Sequence, residues 1–259
     1  MTKPYKYDIK FWVLVDVETG YVVHIFPYLG KDDDRQTNQR LADHVVIKLV
    51  EPYLGKGRNI TCDNFFTSMT HLRELKKKRT SIVGTMNRAR REVPLAVKTS
   101  REPLYTTHVL KTEGDSTLTV YQGKDRKNVL LLSSMHPDVE VGSDLKRKPE
   151  TVAFYNMTKY GVDVVDQMCR KYSAKAASRR WPVQVFYNML NLAGINAWIL
   201  YKTVTGIKIT RRHFIFKLAE ELSAPYIHAT SAPRNTCSFF GTRWSFDKQT
   251  QALPSPGEM

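Results

Sequence analysis

The chain has 259 residues and 42% hydrophobic side chains, enough to bury a sizeable core in one large domain, or one domain with an appendage, and unlike a disordered composition. Forty Lys and Arg against 25 Asp and Glu give a formal charge of +15, which favours a polyanionic partner, nucleic acid ahead of a membrane surface. No run reaches the ~18 apolar residues of a membrane-spanning helix, no signal-peptide core follows Met1, and Cys62, Cys169 and Cys237 are too scattered for a disulfide framework or zinc site, so a reducing compartment is expected.

Residues 9–16 read as an aromatic and β-branched strand ending on Asp16, and Glu18-Thr19-Gly20 as a tight turn. Residues 21–26 return as the second strand of a hairpin. Leu41, Val45 and Leu49 fall on one face of a helix over 40–50, stopped by Pro52. A short strand over 59–62 ends on Asp63. Met69, Leu72 and Leu75 then mark a helix with Ser68 as its N-cap and Lys76-Lys77-Lys78-Arg79 at its end. With a strand over 81–85, the order β-β-α-β-α-β predicts an α/β layout with a mixed sheet.

Residues 88–148 change character and read as a β-rich insertion, with strands over 118–121 and 128–134 joined at Gly123-Lys124-Asp125. Residues 152–155 are either a final strand or an extended lead into a helix. From Tyr160 the pattern is helical, with Val162, Val165, Met168, Cys169 and Tyr172 on an apolar face. Residues 183–202 form a helix apolar nearly all round, which predicts burial. A further helix is expected over 209–222, and a flexible tail over 223–259.

Asp16 and Asp63 each close a strand where a loop begins. Ligands gather beyond strand ends in open α/β sheets, although Asp there is also ordinary turn chemistry. Asp163 and Asp166 lie three apart on one helical face, a like-charge pair that a divalent metal, or a Lys or Arg partner, would relieve. Carboxylates converging from two strands and a helix suit Mg²⁺, a hard cation that keeps positions open for water and phosphate.

Several segments then resemble the transposase domain of the piggyBac family and its domesticated relatives. They are Pro27-Tyr28-Leu29-Gly30, NITCDNFFTS at 59–68, Ile82-Val83-Gly84-Thr85, Arg90-Arg91-Glu92-Val93-Pro94, LLLSS at 130–134, YGVDVVDQM at 160–168, Arg180-Trp181-Pro182 and NLAGINA at 191–197. They run from about Lys6 to about Leu222 in the same order with compatible spacing.

The resemblance implies a ribonuclease H-like mixed sheet flanked by helices, with a β-rich insertion before the last catalytic helix. The corresponding organisation is 1–87 and 149–222 for the two parts of the catalytic domain, 88–148 for the insertion and 223–259 for the tail. The family's catalytic triad falls on Asp16, Asp63 and Asp163, and its fourth acidic position on Asp166. It further implies Mg²⁺, with Mn²⁺ as the alternative, and strand cleavage and transfer at TTAA through hairpin-ended intermediates. Transposon-end and TTAA target DNA are the implied partners, with a homodimer or a full-length transposase beside the chain, in the nucleus.

Family members usually carry a long N-terminal region before the first catalytic strand and a cysteine-rich zinc module that recognises the transposon end. This chain begins almost at that strand and its cysteines cannot build that module, so the expectation is a core that does not transpose autonomously. Two other expectations stand beside it: a domesticated, non-catalytic DNA-binding or regulatory protein, and a decaying transposon fragment. Arg90, Arg91, Arg179 and Arg180 are the expected DNA contacts among the basic clusters, and Lys146-Arg147-Lys148 is a candidate nuclear-localisation patch. Trp181 either stacks on an unpaired base or packs at the start of its helix.

Overall fold

The run Lys10–Val15 (β1) has apolar side chains pointing both ways, which suits a strand covered on both faces. It pairs antiparallel with Val22–Tyr28 (β2), and the turn closes through Gly20 N donating to Asp16 O at 2.8 Å. Gly20 takes φ 75°, a conformation strained for any side chain, as the predicted tight turn requires. The computed structural model describes residues 9–30, 34–37, 39–99, 102–112, 114–125, 127–178 and 180–231.

Alternation divides the hairpin between two cores. Trp12, Leu14 and the cross-strand Phe26 join a large core with Val45 and Leu49 of helix α1 (Leu41–Val50). Helix α2 (Met69–Lys77) adds Leu72 and Leu75 to it. Val13, Val15 and Ile25 face the opposite way, onto Val165 of α5 (Gly161–Lys171) and Ile195 and Ile199 of α6 (Trp181–Thr205). Pro52 ends α1 in a single 3-10 turn, Glu51–Tyr53. Ser68 caps α2, its Oγ accepting from His71 N at 3.1 Å.

Five strands make the mixed sheet, in the order β3 (Asn59–Cys62), β4 (Ser81–Thr85), β7 (Lys127–Ser133), β6 (Ser116–Lys124) and β5 (Thr107–Thr112). β3 runs parallel to β4, as a crossover through α2 dictates. β4 pairs antiparallel with β7, which continues through β6 to β5. The strands of segment 88–148 therefore extend the sheet that β3 and β4 begin. β5 escapes the sequence reading because it is an edge strand, half exposed and carrying His108 and Lys111, with little alternation to detect. The same segment carries the short helix α3 (Leu95–Thr99).

Residues 152–155 are helical, inside α4 (Glu150–Thr158). The expectation that 183–202 is buried is corrected. Only Asn191, Ile195 and Ile199 of α6 are buried, whereas Phe186, Met189, Leu200 and Val204 are exposed. Hydrophobicity on all sides identified the helix, and one face alone meets the hairpin. α7 runs Arg211–Ser231, so residues 223–231, expected to be flexible tail, are helical, and 232–259 lie outside the described residues. By internal contacts the chain divides into Met1–Ile215, which holds every described strand, and Phe216–Met259.

Candidate active site

Asp16 leaves β1 just after an irregularity in its pairing at Leu14/Val15. Its Oδ2 accepts from Thr19 N at 3.1 Å and from the Thr19 hydroxyl. That is the turn role, and it leaves Oδ1 uncommitted among the described residues. Asp63 behaves alike at the end of β3: Oδ1 accepts from Phe65 N at 3.0 Å and Phe66 N at 3.4 Å. Its carbonyl also takes Thr67 N at 3.1 Å and the Thr67 hydroxyl at 2.8 Å. Asp163 stands exposed in the first turn of α5, where the helix dipole favours an anion. Burial raises the pKa of the Cys169 thiol, the charge of Arg211 opposes this, and that of Asp166, one turn on from Asp163, adds to it.

β1 and β3 are not hydrogen-bonded to each other, and two cavities run along the seam between them. The first, about 660 Å³, is lined by Asp63 and Asp163 together with Trp12, Phe65, Tyr155 and Lys159. The second, about 600 Å³, is lined by Asp16, Glu18 and Arg58; Thr61, Lys159 and Val162 line both. Asp63 and Asp163 thus share one cavity, Asp16 occupies the next, and Asp166 lines neither. Among the described residues, no three His, Cys, Asp or Glu side chains are gathered closely enough to hold a metal ion. The donor set still fits a hard divalent cation in kind: all are carboxylates, and Asp16 and Asp63 each commit one oxygen to a turn and keep the other.

The electrostatics tie Asp63 to Asp163. Burial raises the Tyr155 phenol pKa; a hydrogen bond with Thr85 at 3.4 Å opposes this, and the charges of Asp63, Cys62 and Asp163 add to it. Burial, then Asp63, pushes the Cys62 thiol up to about 12, so this cysteine is no soft thiolate ligand. Lys159 Nζ lies 5.7 Å over the Tyr155 ring, and the residue lines both cavities.

Beyond Asp63 the loop is pinned from outside. Arg90 Nη2 donates to Asn64 O at 3.0 Å and Phe65 O at 3.2 Å, and Arg40 Nη2 donates to Phe65 O at 3.2 Å. Arg40 also meets Asp43 at 3.5 Å, and Glu92 accepts from Met69 N at 3.2 Å. Burial first, then the neighbouring Arg40, lowers the Arg90 pKa; the two guanidiniums share a cavity of about 370 Å³ with Phe65. Of the expected DNA contacts, Arg90 is therefore engaged with the Asp63 loop, Arg91 and Arg180 are exposed, and Arg179 lies outside the described residues. Trp181 is exposed, not packed at the start of α6. Arg40, Tyr155 and Lys159 went unmarked in the sequence reading, since no local spacing links them to Asp63. Phe65 stood inside a family-like segment without a role.

A family model described as Transposase IS4 matches residues 1–198. The human PiggyBac transposable element-derived protein 5 is 25% identical over 244 residues, covering 86% of this chain and 46% of that protein. A cryo-EM structure of a piggyBac transposase synaptic complex with hairpin DNA superposes with a TM-score of 0.82 at 34% identity, over 91% of this chain and 50% of that one. The chain spans about half the length of these relatives. Their likeness accords with the mixed sheet flanked by helices, of ribonuclease H-like type. With most of its length inside the family match, the chain belongs to this transposase family, and its relatives there are of the piggyBac type.

Proposed function

We propose that the chain carries the catalytic core of a metal-dependent DNA strand-cleaving and strand-joining enzyme that acts at TTAA on transposon ends, in the nucleus. Asp16, Asp63 and Asp163 would hold Mg²⁺ or Mn²⁺, with Asp166 as a fourth acid. The observation that carries this reading is the shared cavity of Asp63 and Asp163, two carboxylates from a strand end and a helix start, with Lys159 lining both this cavity and that of Asp16. When bound, such a cation polarises a phosphodiester and favours an attacking hydroxyl.

The chain's own groups do the rest. Lys159 sets a positive charge where the phosphate of a strand laid along the seam would lie. Arg40 and Arg90 hold the Asp63 loop by its carbonyls, so the carboxylate is fixed before substrate arrives. Arg91 and Arg180, with Arg179, supply backbone contacts that position DNA without reading sequence. The solved piggyBac transposase relative is in complex with hairpin DNA, which supports a polynucleotide substrate. A homodimer, or a full-length transposase beside this chain, would present the paired ends. The test is a nicking assay with purified protein, Mg²⁺ or Mn²⁺, and DNA carrying a TTAA-flanked transposon end. Metal-dependent nicking that disappears in Asp63→Ala and weakens when TTAA is scrambled supports the reading. DNA binding without cleavage in either metal would leave a DNA-binding regulator instead.

A further inference from the structure

Phe65 is 44% exposed, yet its backbone is held at both ends. Its N–H donates to Asp63 Oδ1 and its carbonyl accepts from both Arg40 and Arg90. Its ring lies nearly parallel to Trp12, at 8° with centroids 6.1 Å apart, and edge-on to Phe66 at 5.0 Å. Lys10 Nζ stands 5.7 Å from the same ring. An exposed apolar ring forgoes the stabilisation of burial, and one already rigid loses little further entropy when something covers it.

The surroundings say what would cover it. Phe65 lines the cavity of Asp63 and Asp163 and also the separate cavity of Arg40 and Arg90. Phe65 thus borders both the cavity of the carboxylates and that of two guanidiniums whose charges repel each other. An apolar peptide side chain would cover the ring but offer the guanidiniums no acceptor beyond the loop carbonyls and Asp43 that they already meet. A nucleotide satisfies both, its base on the ring and its backbone phosphate toward the arginines.

We propose that Phe65 is the stacking platform for an unpaired nucleobase beside the cleaved phosphodiester, with the adjoining backbone phosphate in the Arg40–Arg90 cavity. This rests on the DNA-cleavage reading above. Stacking of this kind tolerates any base, because every base offers a π face. It orients the strand so that the next phosphate reaches Asp63.

The experiment compares affinity for a blunt duplex with that for the same duplex bearing a short single-stranded tail, by fluorescence anisotropy in EDTA so that cleavage plays no part. Wild type is expected to prefer the tailed DNA. Phe65→Leu lowers tailed affinity roughly tenfold and leaves the blunt duplex unchanged, while Phe65→Trp keeps the preference. Equal affinity of wild type for both DNAs, or equal loss of both in a folded Phe65→Leu protein, overturns the proposal. If Phe65→Leu fails to fold, 2-aminopurine in the tail decides with wild type: quenched emission supports stacking, and free-base emission overturns it. Absence of any DNA binding overturns this proposal and the function together. A Phe65-dependent tail preference in a protein that never nicks DNA removes the cleavage reading and leaves Phe65 as a base-stacking residue.

Discussion

Gly84 and Thr67 touch with no room for a side chain between them: a Cβ on residue 84 would stand 2.1 Å from Thr67 Oγ1 and 2.8 Å from the Cys62 carbonyl oxygen. The same Thr67 hydroxyl donates to the carbonyl of Asp63. β4 thus presses on the loop that aims a candidate catalytic acid, and only glycine permits the approach. Gly84→Ala is expected to cost about 1–3 kcal/mol of stability, as overpacking of a close contact does, and to slow cleavage more than it weakens DNA binding. Thermal melting and single-turnover kinetics check the two parts; an unchanged melting temperature would remove the steric explanation.

Asn196 of α6 acts as a substitute strand. Its Oδ1 accepts from Val22 N and its Nδ2 donates to Val22 O, both at 2.9 Å, beside the irregular end of the hairpin ladder. Asn196→Ala strips both partners from a part-buried backbone and should cost about 1–3 kcal/mol. Amide exchange at Val22 should accelerate in step.

Two buried histidines set a pH dependence. Ser133 Oγ accepts from Met135 N and His136 N, both at 3.1 Å, which leaves its own hydrogen for His136 Nδ1 at 2.8 Å. His71 Nδ1 faces the Phe66 carbonyl at 3.1 Å and so carries the hydrogen, while Nε2 is buried without a partner among the described residues. Both rings are neutral, and burial lowers both pKa values below the usual 6.5, against the opposing pull of Glu150 on His136 and of the Phe66 carbonyl and Asp43 on His71. On acidification the unfolded chain therefore takes up protons first. Stability from these sites is fully present above the ordinary histidine pKa and falls as pH drops below it. Urea midpoints should be flat from about pH 7 to 8 and decline toward pH 5.5, and His136→Asn, which keeps an acceptor for Ser133 but cannot titrate, should flatten part of the decline.

Arg90 and Arg91 should separate in turnover. Arg90 is bound to the Asp63 loop and lines the cavity proposed for a phosphate, so Arg90→Ala should lower turnover as well as the salt dependence of DNA affinity. Arg91 is exposed, and Arg91→Ala should reduce the slope of log affinity against log salt by about one and spare turnover. A reversed pattern would reassign the two.

The hairpin, the cap at Ser68 and the strand–helix–strand unit around Asp63 were legible because period, turn residues and caps agree there. β5 was not, since an edge strand half in water shows little alternation. The bare side of α6 was not legible either, because a sequence records how apolar a helix is and not what meets it. At the site, each acid was visible at the end of its own element. That Asp63 and Asp163 share a cavity while Asp16 lies along the seam depends on how β1 rests against β3, a tertiary relation without a local signature. Arg40 and Lys159 were invisible for the same reason, being distant from Asp63 in sequence and joined to it only by folding.

Asp16, Asp63 and Asp163 are proposed to serve one metal site although two cavities divide them. Mn²⁺ binding followed by electron paramagnetic resonance, on wild type and on the folded Asp16→Asn, Asp63→Asn and Asp163→Asn variants, tests it most directly. Wild type is expected to bind Mn²⁺, and each substitution to weaken binding. Wild-type affinity in Asp16→Asn would contradict the claim, leaving a site of Asp63 and Asp163 alone.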